Sequence, residues 1–188
     1  MVLIGFESLN ENNLKQMGKG ANIKYKDYEK VIKNVYDAGI MIYGTFVIGY
    51  DYDTKDTYKE LVDFAIKNKF AIANFNPLMP MPGTRLYDRL KKENRLIHNK
   101  WWLDDDYRYG DAMLIPKGMT PEELLNGCKN ARYTFNTYKN IFKRSLNFKS
   151  NSRGLMNLGI YYLVNIISRF EIHMKQGRRL GYNEDNTN

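Results

Sequence analysis

The sequence predicts an α/β fold, a parallel sheet with helical crossovers that is cut partway through and followed by a mainly α-helical extension. Three observations predict it. Short apolar runs alternate with amphipathic helical patterns across the first 93 residues, in the order β-α-β-α-β-α. Turn residues punctuate those runs, with Gly39 after the first long helical pattern and Pro80, Pro82 and Gly83 after the third apolar run. Beyond residue 93 the strand pattern stops, and apolar stripes at helical spacing take over.

Residues 2–6 form an apolar run of the kind a fully buried strand shows. Tyr28, Val31, Ile32 and Val35 recur at helical spacing and lead to Gly39, which is suited to end a helix. Residues 40–48 are rich in β-branched and aromatic side chains and read as a second buried strand. Thr54 is placed to cap the next helix, whose apolar face is Tyr58, Leu61, Val62 and Ala65. Residues 70–75 read as a third strand, and Arg85–Lys92 as one more helix. A parallel sheet wants more than three strands and cover on both faces. The pattern therefore reads as a barrel or open sheet cut partway through.

Residues 96–116 are irregular, with a Trp101-Trp102 pair and three consecutive acids, Asp104, Asp105 and Asp106. Thr120-Pro121-Glu122-Glu123 is a strong helix start: a Thr cap, Pro in the first turn and Glu three residues on. Leu124, Cys128, Ala131, Phe135, Tyr138 and Phe142 then form one apolar stripe. Residues 151–169 are expected to form a last amphipathic helix, followed by a basic segment at 175–179 and a disordered polar tail. The expected division is 1–93 for the sheet unit, 94–182 for the helical extension and 183–188 for the tail.

Composition narrows the functional classes. With 43% apolar residues the chain can build a core, and global disorder is not expected. The net charge of +8 attracts anions such as nucleic acid, acidic lipid or a phosphorylated substrate. The lysines are scattered and no nucleic-acid-binding fingerprint accompanies them, so no nucleic-acid partner is expected. A single cysteine, Cys128, excludes an internal disulfide and a multi-cysteine metal site. Its place on the apolar stripe makes it an expected buried thiol, and no metal site is expected. The N-terminus does not read as a signal peptide, and the apolar stretch at 155–167 is too short to span a bilayer, so a cytoplasmic location is expected. Contact of residues 155–170 with a membrane surface is not expected, because that apolar face is better used against a neighbouring helix. The three adjacent aspartates read as a solvated loop, and His98 and His173 as surface residues.

Three segments together resemble one family. Val2-Leu3-Ile4-Gly5-Phe6-Glu7-Ser8, continued by Leu14-Lys15-Gln16-Met17-Gly18-Lys19, resembles the fourth strand of a radical S-adenosylmethionine (SAM) barrel. Gly39-Ile40 through Phe46-Val47-Ile48-Gly49-Tyr50 resembles the fifth strand. Pro80-Met81-Pro82-Gly83-Thr84-Arg85-Leu86-Tyr87 resembles the turn after the sixth. The stretch from Trp102 to Phe135 is similar to an uncharacterised C-terminal domain found after the barrel in one subgroup, many of whose members carry a cobalamin-binding-type N-terminal domain. Asp51-Tyr52-Asp53-Thr54 supports that subgroup.

The resemblance implies the C-terminal part of a partial (β/α) TIM-like barrel, about three β/α units, with its working face at the C-terminal strand ends. It implies SAM and a [4Fe-4S] cluster as cofactors, with cobalamin an option in the intact relative and an unknown small-molecule substrate. By resemblance Glu7 is the acid that binds the SAM ribose, since a carboxylate accepts from two vicinal hydroxyls; read alone, it is also a plain strand-end acid or half of a salt bridge. Phe46, Val47, Ile48 and Gly49 would wall the adenine, although Phe46 and Ile48 also read as core. Asn76 and Leu78 would add contacts, or simply form a Pro-directed turn. Tyr50 and Asp51 point to the substrate side by position, without an assigned role. The sequence contains no C-x3-C-x2-C cluster loop. It is thus expected to be inactive alone, with the missing N-terminal half of the barrel as partner. The alternative is a non-catalytic docking module for a separate barrel half or an anionic partner.

Overall fold

A computed structural model describes residues 1–19, 25–175, 177 and 178. The expected disorder at 183–188, part of the basic segment at 175–179 and the side chain of His173 lie outside the described residues. Three parallel strands, β1 (Val2–Glu7), β2 (Ile42–Ile48) and β3 (Ile72–Pro77), lie in the order β1-β2-β3. Helices α1 (Glu11–Gln16) and α2 (Tyr25–Asp37) connect the first two strands, and α3 (Thr57–Lys67) connects the second to the third. Helix α4 (Arg85–Lys92) follows the Pro-rich turn. The extension contributes a short 3-10 turn at Trp101–Leu103, then α5 (Pro121–Phe135), α6 (Tyr138–Ser145) and α7 (Leu155–Lys175). The α/β class, the parallel sheet and the helical extension therefore stand.

β2 is the central strand, and its residues alternate between buried and half-buried. Ile42, Phe46 and Ile48 face the helices and meet Phe6 of β1 and Phe75 of β3 in the main core. Phe46 stacks on Phe75 at 5.4 Å and on Phe6 at 5.8 Å. That core also takes Leu124, Cys128, Ala131 and Phe135 from α5, so it draws on residues from both sides of position 93.

Four details differ from the sequence reading. β1 is not fully buried: it is an edge strand among the described residues, and Leu3 is 62% exposed. Thr54 does not cap α3. The helix starts at Thr57 behind Asp56, and the Thr54 hydroxyl instead accepts from the Asp56 N–H in the preceding turn. The apolar stripe breaks at Asn136 and Thr137, where the Thr137 side chain accepts from the Asn140 N–H and starts α6. Tyr138 and Phe142 consequently face outward, and Ile141 and Arg144 face in. Finally, α7 begins at Leu155 and buries Tyr161 and Asn165, leaving its apolar face exposed.

Arg144 explains that last inversion. It is fully buried, and its guanidinium donates to the carbonyls of Phe70, Ala71 and Phe135 and to Asn165 Oδ1. It also lies 3.6 Å from the Phe135 ring centroid. Burial pulls its pKa down to about 10, which leaves it charged at neutral pH. A buried cation needs polar neighbours. The side of α7 that meets it therefore carries Asn165 and tyrosines.

Candidate functional site

The strand face away from α2 and α3 carries the polar residues. Strand register puts Gly5 beside Thr45 and Thr45 beside Asn74 in one row. The next row pairs Val47 with Asn76. Side chains two apart on a strand share a face. Thr45, Val47, Asn74 and Asn76 are all half-buried, in contrast with the fully buried Phe46 and Phe75 behind them. Asn74 Nδ2 donates to the Tyr43 hydroxyl at 2.5 Å on this same face.

Glu7 ends β1 in an unusual conformation. Its φ is +62°, and the strand register slips between Gly5 and Glu7. A non-glycine residue in this left-handed region is strained by about 1 kcal/mol or more. The side chain folds back over Gly5, where an added Cβ would stand 2.6 Å from Glu7 Oε1. Glycine at position 5 makes room for the carboxylate. Lys19 Nζ lies 2.8 Å from Glu7 Oε1, in a partly exposed pair. The Tyr28 hydroxyl is pushed up to about 12, by burial first and then by the Glu7 charge, while it donates to the Phe6 carbonyl.

The loop after β2 is held from within. Gly49 has φ +122°, accessible only to glycine at low cost, and a Cβ there would lie 3.2 Å from both Leu78 and Leu124 side chains. The glycine thus serves loop geometry and packing against Leu78 and Leu124. Buried Asp53 accepts from the N–H groups of Gly49 at 2.8 Å and Tyr50 at 3.0 Å, and from Asn13 Nδ2 at 2.7 Å. Asn13 Oδ1 in turn accepts from the Tyr52 N–H at 3.1 Å, tying α1 to the loop. Burial raises the Asp53 carboxyl to about 6, against the pull of those three hydrogen bonds. Asp51 has the opposite balance. Burial pushes its carboxyl up, but hydrogen bonds from Arg95, Gln16 and Lys117 outweigh it and hold it well below the usual range. Arg95 lies at 2.7 Å, Arg89 at 2.8 Å and Lys117 at 3.1 Å. Asp51 is therefore an ion-pair hub, and its geometry gives it no free lone-pair side for base chemistry.

Beside β3, α5 covers the strand. Arg132 Nε donates to the Phe75 carbonyl at 3.0 Å, and its Nη2 to Asn76 Oδ1 at 3.1 Å. A cleft of about 600 Å³ opens here, lined by Val47, Asn74, Asn76, Leu78, Tyr109 and Arg132 among others. That size suits a small-molecule site.

The structure sorts the seven residues singled out in the sequence. Glu7, Val47 and Asn76 lie on or at the end of the open face. Gly49 and Leu78 pack at the strand ends, where the Leu78 N–H donates to the Ile48 carbonyl at 2.7 Å. Phe46 and Ile48 are both fully buried on the helix side, so their side chains cannot touch a ligand on the open face. Sequence reading missed Asn13, Asp53, Asn74 and Arg132. Asn74 was legible from its alternation with Phe75. Asp53 stood in the sequence only as part of the Asp51-Tyr52-Asp53-Thr54 motif, and Asn13 and Arg132 become visible only once α1 and α5 fold back on the loop ends.

The donor chemistry fits one family cofactor and not the other. A carboxylate poised over a glycine, beside a polar row, suits a ribose and an adenine edge. A cluster is not served: Cys128 is the lone cysteine, is buried, and burial pushes its thiol up to about 12. Among the described residues no three His, Cys, Asp or Glu side chains converge. Asp104 pairs with His98 at 2.6 Å and accepts from the Asp106 N–H.

No family model matches the chain. The chain is 37% identical over 125 residues to a bacteriochlorophyllide d C-12(1)-methyltransferase of Chlorobaculum tepidum, covering 66% of this chain and 26% of that protein. It is 30% identical over 159 residues to the bacteriochlorophyllide d C-8(2)-methyltransferase of the same organism, covering 84% of this chain and 34% of that protein. A hopanoid C-2 methylase of Rhodopseudomonas palustris is 31% identical over 115 residues, covering 61% of this chain and 21% of that protein. The chain thus spans about a third or less of the length of these relatives. On the ground of these matches the chain belongs to the radical SAM superfamily.

Proposed function

We propose that the open sheet face and its cleft form the adenosyl-binding and substrate-facing wall of a radical SAM site. The cluster-bearing strands would come from polypeptide outside these 188 residues. The observation that carries this reading is Glu7, kept in a strained conformation over Gly5 at the C-terminal end of a strand. Strain of this kind clusters at ligand sites and persists only where the surrounding structure over-determines it.

In this reading the Glu7 carboxylate accepts from the two ribose hydroxyls, and the open-face residues Thr45, Val47, Asn74 and Asn76 border the adenosyl group. The Asp53–Asn13 network fixes the Gly49 loop, so that the strand ends need no rearrangement when ligand binds. Tyr109 and Leu78 supply apolar wall that excludes water from the cleft. SAM held there would supply the radical chemistry, with its reducing electron delivered through a cluster on polypeptide outside these residues. Methyl transfer is the outcome the bacteriochlorophyllide and hopanoid relatives suggest.

Titration of the chain with SAM, followed through backbone amide NMR shifts, tests this. Shifts confined to residues 5–7, 45–49 and 74–78 are expected, and they should weaken in Glu7→Gln. Shifts elsewhere, or none at millimolar ligand, would sink the reading. The docking alternative draws on one different observation, the outer edge of β1, which is unpaired among the described residues. A strand of a separate barrel half added there should protect the Leu3 and Gly5 amides from hydrogen exchange.

A further inference from the structure

A second cavity, of about 460 Å³, lies between the end of α1 and the first turn of α4. Its charged walls are Lys15, Arg85 and Arg89, and no carboxylate lines it. Lys15 and Arg85 are exposed, and among the described residues neither makes an ion pair. The acids nearest to them in sequence, Glu11 and Asp88, are exposed and stand outside the cavity wall. Arg89 does have a partner, Asp51, but that carboxylate also takes Arg95 and Lys117, and Arg95 turns to Glu93 as well. Three cations therefore share two carboxylates beside a wall that holds two more cations. A concave surface with this imbalance draws anions.

The backbone adds donors. Thr84 caps α4 through the Tyr87 N–H, which leaves the N–H groups of Arg85 and Leu86, two residues of the cavity wall, without an acceptor. A helix start of this kind favours an anion. The cavity also adjoins the cleft on the open sheet face, since Tyr50, Thr84 and Leu86 line both. Beyond those three the cleft wall turns apolar, with Val47, Leu78, Met79, Met81 and Met113. Tyr50 feels both ends of the site: burial first, then the Glu7 charge, raises its hydroxyl, and the Arg89 charge opposes them.

We propose that this pocket holds an oxyanion at one end of the substrate, a carboxylate or a phosphate ester, whose apolar body lies in the adjoining cleft. Its assignment to the substrate rests on the reading of that cleft given above. Two guanidinium groups, an ammonium and two free amides supply charge-assisted hydrogen bonds to such a group, and the methionine-rich wall takes the apolar remainder.

Octanoate, octyl phosphate, octanol and inorganic phosphate, each titrated into the chain and followed through backbone amide NMR shifts, test this. The two octyl anions should shift residues 15–18 and 84–89 together with 78–81 on the cleft wall, and the tighter of the two names the oxyanion. Both should bind about tenfold or more tightly than octanol or inorganic phosphate. The double variant Lys15→Ala and Arg85→Ala removes exposed side chains without ion pairs, so its urea midpoint should match the parent's. Its affinity for the octyl anions should fall by about tenfold or more. Octanol as tight as octanoate, inorganic phosphate as tight as the octyl anions, or an unchanged affinity in the variant would each overturn the proposal. So would shifts at 15–18 and 84–89 with SAM alone, which would give the pocket to the SAM carboxylate. SAM shifts around Glu7 without a response to the octyl anions sink this proposal and leave the site reading intact. The reverse pattern sinks the site reading, and with it the pocket's claim on the substrate.

Discussion

The Asp53 carboxylate grips the amide of Gly49, four residues earlier, at 2.8 Å, and so fixes the exit of the central strand. Replacing Asp53 by Ala leaves the Gly49 and Tyr50 N–H groups without that acceptor. A loss of about 2–4 kcal/mol is expected in urea unfolding. Asn keeps the two backbone bonds but points its own amide nitrogen at Asn13 Nδ2, so it should fall between Asp and Ala. The pH dependence has a definite sign. The folded pKa of about 6 is above the unfolded value near 4, so the proton favours the folded state. Asp53's contribution should be complete below about pH 4 and disappear as pH rises through 6. Stability of the parent minus that of Asp53→Asn, measured from pH 4 to 7, should fall by on the order of 2 kcal/mol.

Gly49→Ala tests the loop from the other side. At φ +122° a Cβ is strained, and it would also press on Leu78 and Leu124 at 3.2 Å. The expected cost is about 1–3 kcal/mol. The amide shifts on SAM addition should shrink with it, because the strand end moves. A variant with parent stability would remove the strain argument.

Glu7 separates strain from binding. Glu7→Gly should be about 1 kcal/mol more stable than Glu7→Ala, since glycine alone accepts φ +62° without penalty. Both should lose the SAM-dependent shifts. The Lys19 pair is partly exposed and contributes little to stability, so Lys19→Ala should unfold near the parent's midpoint.

The order of elements along the chain and the α/β class were legible because alternating β and α patterns are local signals. Phe46 and Ile48 marked a buried strand whichever face a ligand used, so periodicity could not say that both turn away from the open side. The Thr120 capping box also announced α5, and the structure keeps both of its reciprocal hydrogen bonds. The break at Asn136 was invisible, because Tyr138 and Phe142 continue the apolar spacing while Arg144 decides which side is buried. A buried arginine with carbonyl partners leaves no pattern in the sequence. Asn13 and Arg132 were missed for the same reason, since their partners lie 40 and 57 residues away. Asp53 was missed although it grips backbone only four residues earlier, because a backbone acceptor role leaves no pattern either.

Arg144 itself is the strongest stability prediction. Arg144→Met removes a donor from the Phe70, Ala71 and Phe135 carbonyls and from Asn165, at a cost of about 3–5 kcal/mol. Arg144→Lys keeps the charge but cannot span the fork, so it should recover less than half of the loss in urea unfolding. Full recovery by Lys would mean that charge rather than geometry holds α6 and α7 to the lead-in of β3.

Cys128 bears on the cluster question. With the thiol pushed up to about 12 by burial, almost none is thiolate at neutral pH, and the side chain is only 2% exposed. The unfolded thiol, near 8.5, reacts readily. Labelling by a thiol reagent should therefore follow unfolding, slow in buffer and fast in urea. Anaerobic reconstitution with iron and sulfide should leave the chain colourless, because one inaccessible thiolate cannot replace the three of a C-x3-C-x2-C loop. Rapid labelling of the folded chain, or uptake of one cluster per chain, would overturn this account of Cys128. Cluster uptake by a complex with polypeptide carrying the missing cysteines would instead be the outcome that completes the site around Glu7.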